Sequence, residues 1–308
     1  MNFIYGLSKT GISIAKFLEK NKEQYTCWDD DFKTRKKIKK LKFNIKFIKP
    51  INLKINKYKK FYITPGISIR KNKFSKVNKN KLARDLNLYW QNITNEKVIA
   101  VTGTNGKSTT TKLIGDMFKK INIPTFVGGN LGKPLMDSFL NKKIFSHHIV
   151  ELSSFQLELI NNFNPTVSIL LNLSKDHLDR YKNFNDYISQ KKKIFSSKGF
   201  GYNIISLDDK NSAKLFNNKK ITNKISFSIA DSNADVFFKN GCIVDKYFYK
   251  NKKNKLTKIS VDLFGDYNYQ NILVCYIVSK IFNLPHKNFL NTVKNFKGLP
   301  FRSQIIFN

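Results

Sequence analysis

The run Gly103-Thr-Asn-Gly-Lys-Ser-Thr109 carries the densest chemistry in the chain. It follows an apolar stretch, Lys97-Val-Ile-Ala-Val101, that reads as a buried strand. Leu113, Ile114, Met117, Phe118 and Ile121 come next at helical spacing. A glycine-bearing loop between a strand and a helix start gathers backbone N–H groups at one point, where the helix dipole favours an anion. Gly103, Thr104, Asn105, Gly106, Lys107, Ser108 and Thr109 would cradle phosphates, with the Lys107 ammonium on the terminal groups and the Ser108 hydroxyl on magnesium. A nucleoside triphosphate suits such a loop. The match departs from the common pattern at one place: Val101 stands where the first glycine is usual, and the glycine comes at Gly103. A bland polar turn capped by Thr104 or Asn105 explains fewer of these features.

Two further side chains are placed to join that loop. Glu151 ends the apolar segment His148-Ile-Val-Glu-Leu152, and His177 follows one ending at Asn172. In a parallel sheet both lie at the carboxyl edge, where they could complete a magnesium shell. Taken alone, Glu151 reads more simply as a solvated strand end and His177 as a capping or core histidine.

These groups need a scaffold, and the chain supplies two glycine-loop units. The first, residues 1–92, opens with strand Asn2–Tyr5, the loop Gly6-Leu-Ser-Lys-Thr-Gly11 and a helix using Ile12, Ala15, Phe17 and Leu18. Strand Tyr25–Trp28 then ends in Asp29-Asp30-Asp31, a Rossmann-like opening whose middle glycine is replaced by Ser8. A strand at Lys60–Ile63 runs into the Thr64-Pro-Gly66 turn. The second unit, 93–297, alternates helical stretches with strands at Val98–Val101, His148–Leu152, Thr166–Asn172, Asn203–Ser206, Ile225–Ser228 and Leu256–Leu263. That order predicts an α/β fold with a mainly parallel sheet covered on both faces. Asn240-Gly241 reads as a hairpin insertion, and a last helix is expected from about Tyr269 to Phe282.

Composition bounds the function. The 308 residues hold 56 Lys and Arg against 21 acidic groups, a formal charge of +35. Only five of the basic residues are arginine, and the lysines are spread along the chain, so a solvated surface fits better than a specific nucleic-acid reader. No apolar stretch reaches the ~18–20 residues of a membrane span, and the N-terminus lacks a signal-peptide layout. Three cysteines without metal spacing suit a reduced, cytoplasmic chain.

Five motifs occur in series: Gly103–Thr109, Gly128-Gly-Asn-Leu-Gly132, Glu151-Leu-Ser-Ser-Phe-Gln-Leu-Glu158, Asn172-Leu-Ser-Lys-Asp-His-Leu-Asp-Arg180 and Phe296-Lys-Gly-Leu-Pro-Phe-Arg302. Together they resemble the Mur ligase family of peptidoglycan synthesis, from residue 3 to the end of the chain. The strings are most similar to the branch that adds D-glutamate to UDP-N-acetylmuramoyl-L-alanine through an acyl phosphate. The resemblance implies an N-terminal Rossmann-like domain for the UDP substrate and a central phosphate-loop ATPase domain. Lys9, Thr10, one of Asp29 or Asp30, and Gly66 would bind that substrate, with Asn130 and His177 at its inner end. ATP would lie on Gly103–Thr109, with Asn268 and Asn271 at the adenine and Arg302 on a phosphate. Mg2+ would be placed by Ser108, Glu151, His177 and a carbamoylated Lys191, and the catalytic set would be Lys107, Glu151, His177 and Lys191. Lys192 and Lys193 adjoin Lys191, and any of the three could simply be solvated.

The family's third domain, which carries the amino-acid site, would begin at 298–308, so the resemblance implies a chain lacking it. A separately encoded C-terminal domain could supply the missing part. The rival readings are a catalytically incomplete fragment that binds ATP and UDP substrate, and a sibling ligase, either another Mur ligase or a folylpolyglutamate synthase.

Overall fold

The computed structural model describes the chain except residues 41–44, 70–73, 75–76, 141, 196–198, 200, 250–254, 259–265 and 299–308. It divides into two compact units. The first joins Met1–Thr94 to two segments from later in the chain, Gly132–Ile144 and Ser154–Asn161; the second holds Asn95–Leu131, Phe145–Ser153 and the chain from Asn162 onward.

In the first unit the chain runs β1 (Asn2–Tyr5), α1 (Lys9–Lys20), β2 (Tyr25–Trp28), α2 (Phe32–Lys39), β3 (Lys60–Ile63), β4 (Leu82–Ala83) and α3 (Asp85–Gln91). The strands pair in the order β2-β1-β3-β4, all parallel. Helix α1 buries Ile14, Ala15, Phe17 and Leu18, while Ile12, expected on that face, is only half-buried. Asp31 starts α2 by accepting from the Lys33 and Thr34 amides.

The second unit continues with β5 (Lys97–Thr102), α4 (Lys107–Lys119), β6 (Thr125–Gly129) and β7 (His147–Glu151). The short α5 (Ser154–Leu157) belongs to the first unit. The second unit then takes β8 (Val167–Leu170), α6 (Phe184–Lys192), β9 (Tyr202–Ser206), α7 (Lys210–Phe216), β10 (Lys224–Ser228), β11 (Val236–Lys239), β12 (Cys242–Asp245), β13 (Lys255–Lys258), α8 (Asp266–Ile281) and α9 (His286–Lys294). Its sheet is ordered β13-β12-β11-β10-β9-β8-β5-β7-β6, parallel from β6 across to β11 and antiparallel in β12 and β13. Strand β5 lies between β7 and β8, so the strand order reverses there, the place where open α/β sheets bind ligands.

Three differences from the sequence reading stand out. Asn240 and Gly241 both have positive φ, as a two-residue hairpin turn requires, and the hairpin extends the sheet through β11 instead of standing apart as an insertion. The helix expected to be last is α8, but α9 follows it after Pro285. Strand β6 was missed, because two of its five residues are glycines with little strand propensity.

Both faces of the second sheet are covered. Ile99, Val101, Val167, Ile169, Ile204, Ile225 and Phe227 share one core with Leu113, Ile114, Met117 and Phe118 of α4 and Ile272–Val278 of α8. Ser168, pointing the other way, is also fully buried and donates to the Ile194 carbonyl just beyond α6. No helix among the described residues is long and apolar enough to cross a membrane. Leu113→Ala opens a cavity in a fully buried core and should lower stability by about 2–5 kcal/mol, read as a fall in the urea midpoint with an unchanged slope.

Candidate functional site

The parallel register sets the site. Glu151 pairs with Val101 of β5 on one side and with Gly129 of β6 on the other. Its carboxylate, almost wholly buried, accepts from Ser108 Oγ (2.7 Å) through Oε2 and from Asn130 Nδ2 (3.0 Å) through Oε1. Gly129 has φ +118, and a Cβ there would lie 2.2 Å from the Glu151 carbonyl oxygen, so the close approach of β6 demands glycine.

The loop between β5 and α4 is held from the opposite side. Asn172 Oδ1 accepts the Thr104 and Asn105 N–H groups (3.1 and 2.8 Å), and its backbone carbonyl accepts Thr104 N–H as well. Thr104 Oγ1 accepts from Ser174 N–H and lies 3.2 Å from the Tyr187 hydroxyl. Two loop amides are therefore turned onto Asn172, which leaves the first turn of α4 as the part of the loop suited to phosphate. The role of Asn172 was not read from sequence. The only signal was an asparagine opening the motif that contains His177.

Lys191 is the most unusual member. Its side chain is only 2% exposed. Nζ donates to the Gly103 carbonyl (2.8 Å) and Thr102 Oγ1 (3.3 Å), and lies 4.9 Å from the centre of the Tyr187 ring. Burial, reinforced by the Lys107 ammonium, pushes its pKa well below the ordinary lysine value, against the pull of Asp176 and Glu151. Lys192 and Lys193 are only half-buried, so burial singles out Lys191 among the three. Lys107 is the N-terminal residue of α4 and its Nζ donates to the Thr104 carbonyl (2.7 Å).

His177 stands a step outward. It has φ +52, a half-exposed ring packed edge-on to Tyr187 at 6.4 Å, and Asp176 beside its Nε2 at 3.4 Å. Asn268 and Asn271 on α8 are buried. Asn271 accepts from Thr110 Oγ1 (2.8 Å) and donates to Asn268 (3.3 Å), which ties α8 to α4 behind the loop. Arg302 lies outside the described residues.

In the first unit, Lys9 and Thr10 open α1 beyond the Gly6 loop. Asp29 accepts from the Leu7 amide (2.6 Å) and so pins that loop, while Asp30 accepts from the Tyr5 hydroxyl (2.5 Å) and Trp28 Nε1 (3.0 Å). Beside Asp30 is a cavity of about 440 Å³ lined by Trp28, Asp30, Lys49, Pro50 and Ile51. Gly66 is exposed in the turn after β3, with open space where a Cβ would point.

Residues 101–279 match the Mur ligase middle domain. The chain belongs to the Mur ligase family. A UDP-N-acetylmuramoylalanine–D-glutamate ligase of Rickettsia prowazekii (strain Madrid E) is 34% identical over 307 residues, 98% of this chain and 68% of its own length. One of the same name from Caldicellulosiruptor saccharolyticus is 30% identical over 98% of this chain and 69% of its own length. The chain thus spans about two thirds of the length of these relatives. Among solved structures, UDP-N-acetylmuramate-alanine ligase of Thermotoga maritima superposes with TM-score 0.58 at 18% identity, over 99% of this chain and 70% of that one. The UDP-N-acetylmuramate:L-alanyl-gamma-D-glutamyl-meso-diaminopimelate ligase of Neisseria meningitides gives 0.60 at 15% identity, over 97% and 98%. At these identities the superpositions speak to fold, which is that of the Mur ligases.

The Lys191 shift has a measurable consequence. A lysine whose pKa is depressed by folding is protonated first in the unfolded chain. Stability should therefore rise with pH between the depressed folded value and the unfolded value of ~10.4. In CO2-free buffer, Lys191→Met should be more stable than wild type at pH 7, with the gap closing as pH approaches 10 in urea titrations.

Proposed function

We propose that this chain carries the nucleotide and UDP-substrate sites of an ATP-dependent amide ligase that joins D-glutamate to UDP-N-acetylmuramoyl-L-alanine. The observation that carries the reading is the bonded set Ser108–Glu151–Asn130 at the head of α4, with a buried, neutral-leaning Lys191 of α6 bonded to the loop before that helix. Likeness over nearly the whole chain to ligases of that name supplies the substrates.

The donor set suits Mg2+. A carboxylate and a hydroxyl are hard oxygen ligands, and magnesium is commonly held by one or two carboxylates together with substrate phosphates and water. Among the described residues no three His, Cys, Asp or Glu side chains are grouped to hold a metal, so a nucleotide's own oxygens would complete the shell. Bound there, the ion would neutralise charge on the transferring phosphoryl group.

The reaction asks this chain to hold two anions together. A carboxylate is a poor electrophile, and phosphorylation of the alanyl carboxylate makes it one, after which the amine attacks and phosphate leaves. The first turn of α4 and the Lys107 ammonium would receive the nucleotide phosphates, with Asn268 and Asn271 behind the loop towards the base and Arg302 on a phosphate. Glu151 and Ser108 would orient the cation, with His177 at its outer side and Asn130 turned to the substrate. Lys9, Thr10, Asp29 or Asp30, and Gly66 would bind the UDP part, beside the cavity at Trp28.

Lys191 fits its role through its protonation state. Only an uncharged amine adds CO2, and Nζ would gain the carboxyl carbon and release one proton. The product is an anion where an ammonium would repel magnesium. D-glutamate and a separately encoded C-terminal domain are partners that this reading allows.

Mg-ATP titration calorimetry tests the nucleotide half. Lys107→Ala and Glu151→Gln should each weaken Mg-ATP binding by about 10²-fold or more. Wild-type affinity in both would overturn the assignment. With 13C-labelled bicarbonate, a carbamate carbon resonance should be present in the wild type and absent in Lys191→Arg.

A further inference from the structure

Arg84 sits between β4 and α3 in the first unit, with no exposed surface. The two N–H groups of its Nη1 serve three backbone carbonyls, Ile63 (2.9 Å), Thr64 (2.7 Å) and Ile67 (2.9 Å), one of them shared, and its Nη2 donates to the buried carboxylate of Glu158. The three carbonyls bracket the Thr64-Pro65-Gly66 turn. Burying an ion pair is seldom the cheapest way to stabilise a fold, because apolar side chains of similar volume often serve as well or better. What an apolar pair cannot do is offer donors to those three carbonyl oxygens.

The turn so held is wedged against the glycine loop. Thr64 donates to the Tyr5 carbonyl through both its amide (2.9 Å) and its hydroxyl (3.1 Å). A Cβ at Gly6 would lie 2.0 Å from Thr64 Oγ1, and one at Gly11 would lie 1.9 Å from the Gly6 carbonyl oxygen. The turn, the Gly6 loop and the start of α1 are thus in contact without slack, so a displaced Thr64 displaces the loop leading to Lys9 and Thr10. Glu158 is itself held in place, because its segment is tied by Gln156 Nε2 to Asp85 (2.8 Å) and by Asn87 Nδ2 to the Leu159 carbonyl (2.9 Å).

We propose that Arg84 is a positioning residue for the UDP-substrate site, which it sets by holding the Ile63–Ile67 turn against the Gly6 loop. The inference rests on reading that loop as the UDP-substrate site. Arg84 touches neither substrate nor nucleotide, and acts through Thr64.

The test measures two affinities on the full chain, for UDP-N-acetylmuramoyl-L-alanine and for Mg-ATP. Arg84→Met combined with Glu158→Leu removes both buried charges and should keep the thermal midpoint near wild type. It should nonetheless weaken UDP-substrate binding by about tenfold or more while Mg-ATP affinity stays unchanged. Arg84→Lys keeps the charge, but three N–H groups on one nitrogen cannot serve the three carbonyls and Glu158 together; it should show a smaller loss of the same kind and covers the case in which the double variant fails to fold. Wild-type UDP-substrate affinity in either folded variant overturns the proposal. If the wild-type chain binds no UDP substrate, the site reading fails by itself. Amide hydrogen exchange at Leu7–Gly11 then decides the positioning role: faster exchange in Arg84→Lys supports it, and unchanged exchange overturns it.

Discussion

The hydrogen bond from Ser108 to Glu151 is the contact around which the second unit's candidate site is arranged. It joins the first turn of α4 to the end of β7, and it exists only because β5 and β7 are parallel and in a register that sets Val101 beside Glu151. A slip of one residue would point the carboxylate to the opposite face of the sheet. Gly129 makes the same point from β6, since its missing side chain lets that strand reach the Glu151 backbone and deliver Asn130. Sheet register here therefore places the candidate site's side chains as well as the core.

Around that contact the loop is prepared from two directions. Asn172 and Ser174, just beyond β8, hold its leading half, and the hydroxyl of Tyr187 on α6 closes over Thr104. One helical turn later the same helix places Lys191 under Gly103. A cation so deeply buried is expensive, and among the described residues Lys191 Nζ has a carbonyl and a hydroxyl as bonded partners, with no carboxylate. Such an environment favours the free amine.

Much of this was legible in the residues. The strand, glycine loop, lysine, serine and amphipathic helix around 97–118 follow from local rules, and they stand where those rules put them. Glu151 at a strand end was also legible, but its burial and its bond to Ser108 were not, because both depend on β5 and β7 pairing across some fifty positions. Asn172 and Arg84 were opaque for the same reason. Neither has a local signature, and each gains its meaning from carbonyl or amide groups brought near by the fold. Strand β6 was hidden because its glycines serve a close approach at the expense of strand propensity.

The threading of the first unit also bears on how the chain is made. Arg84 and Glu158 lie 74 positions apart, and β5, α4, β6 and β7 emerge between them. At ribosomal speeds of about 5–20 residues per second, the guanidinium waits roughly 4–15 s for its counter-charge. The amino-terminal fold therefore cannot seal in order of synthesis. Until that distant carboxylate arrives, the nascent polypeptide holds an open seam, the kind of intermediate that chaperones shelter.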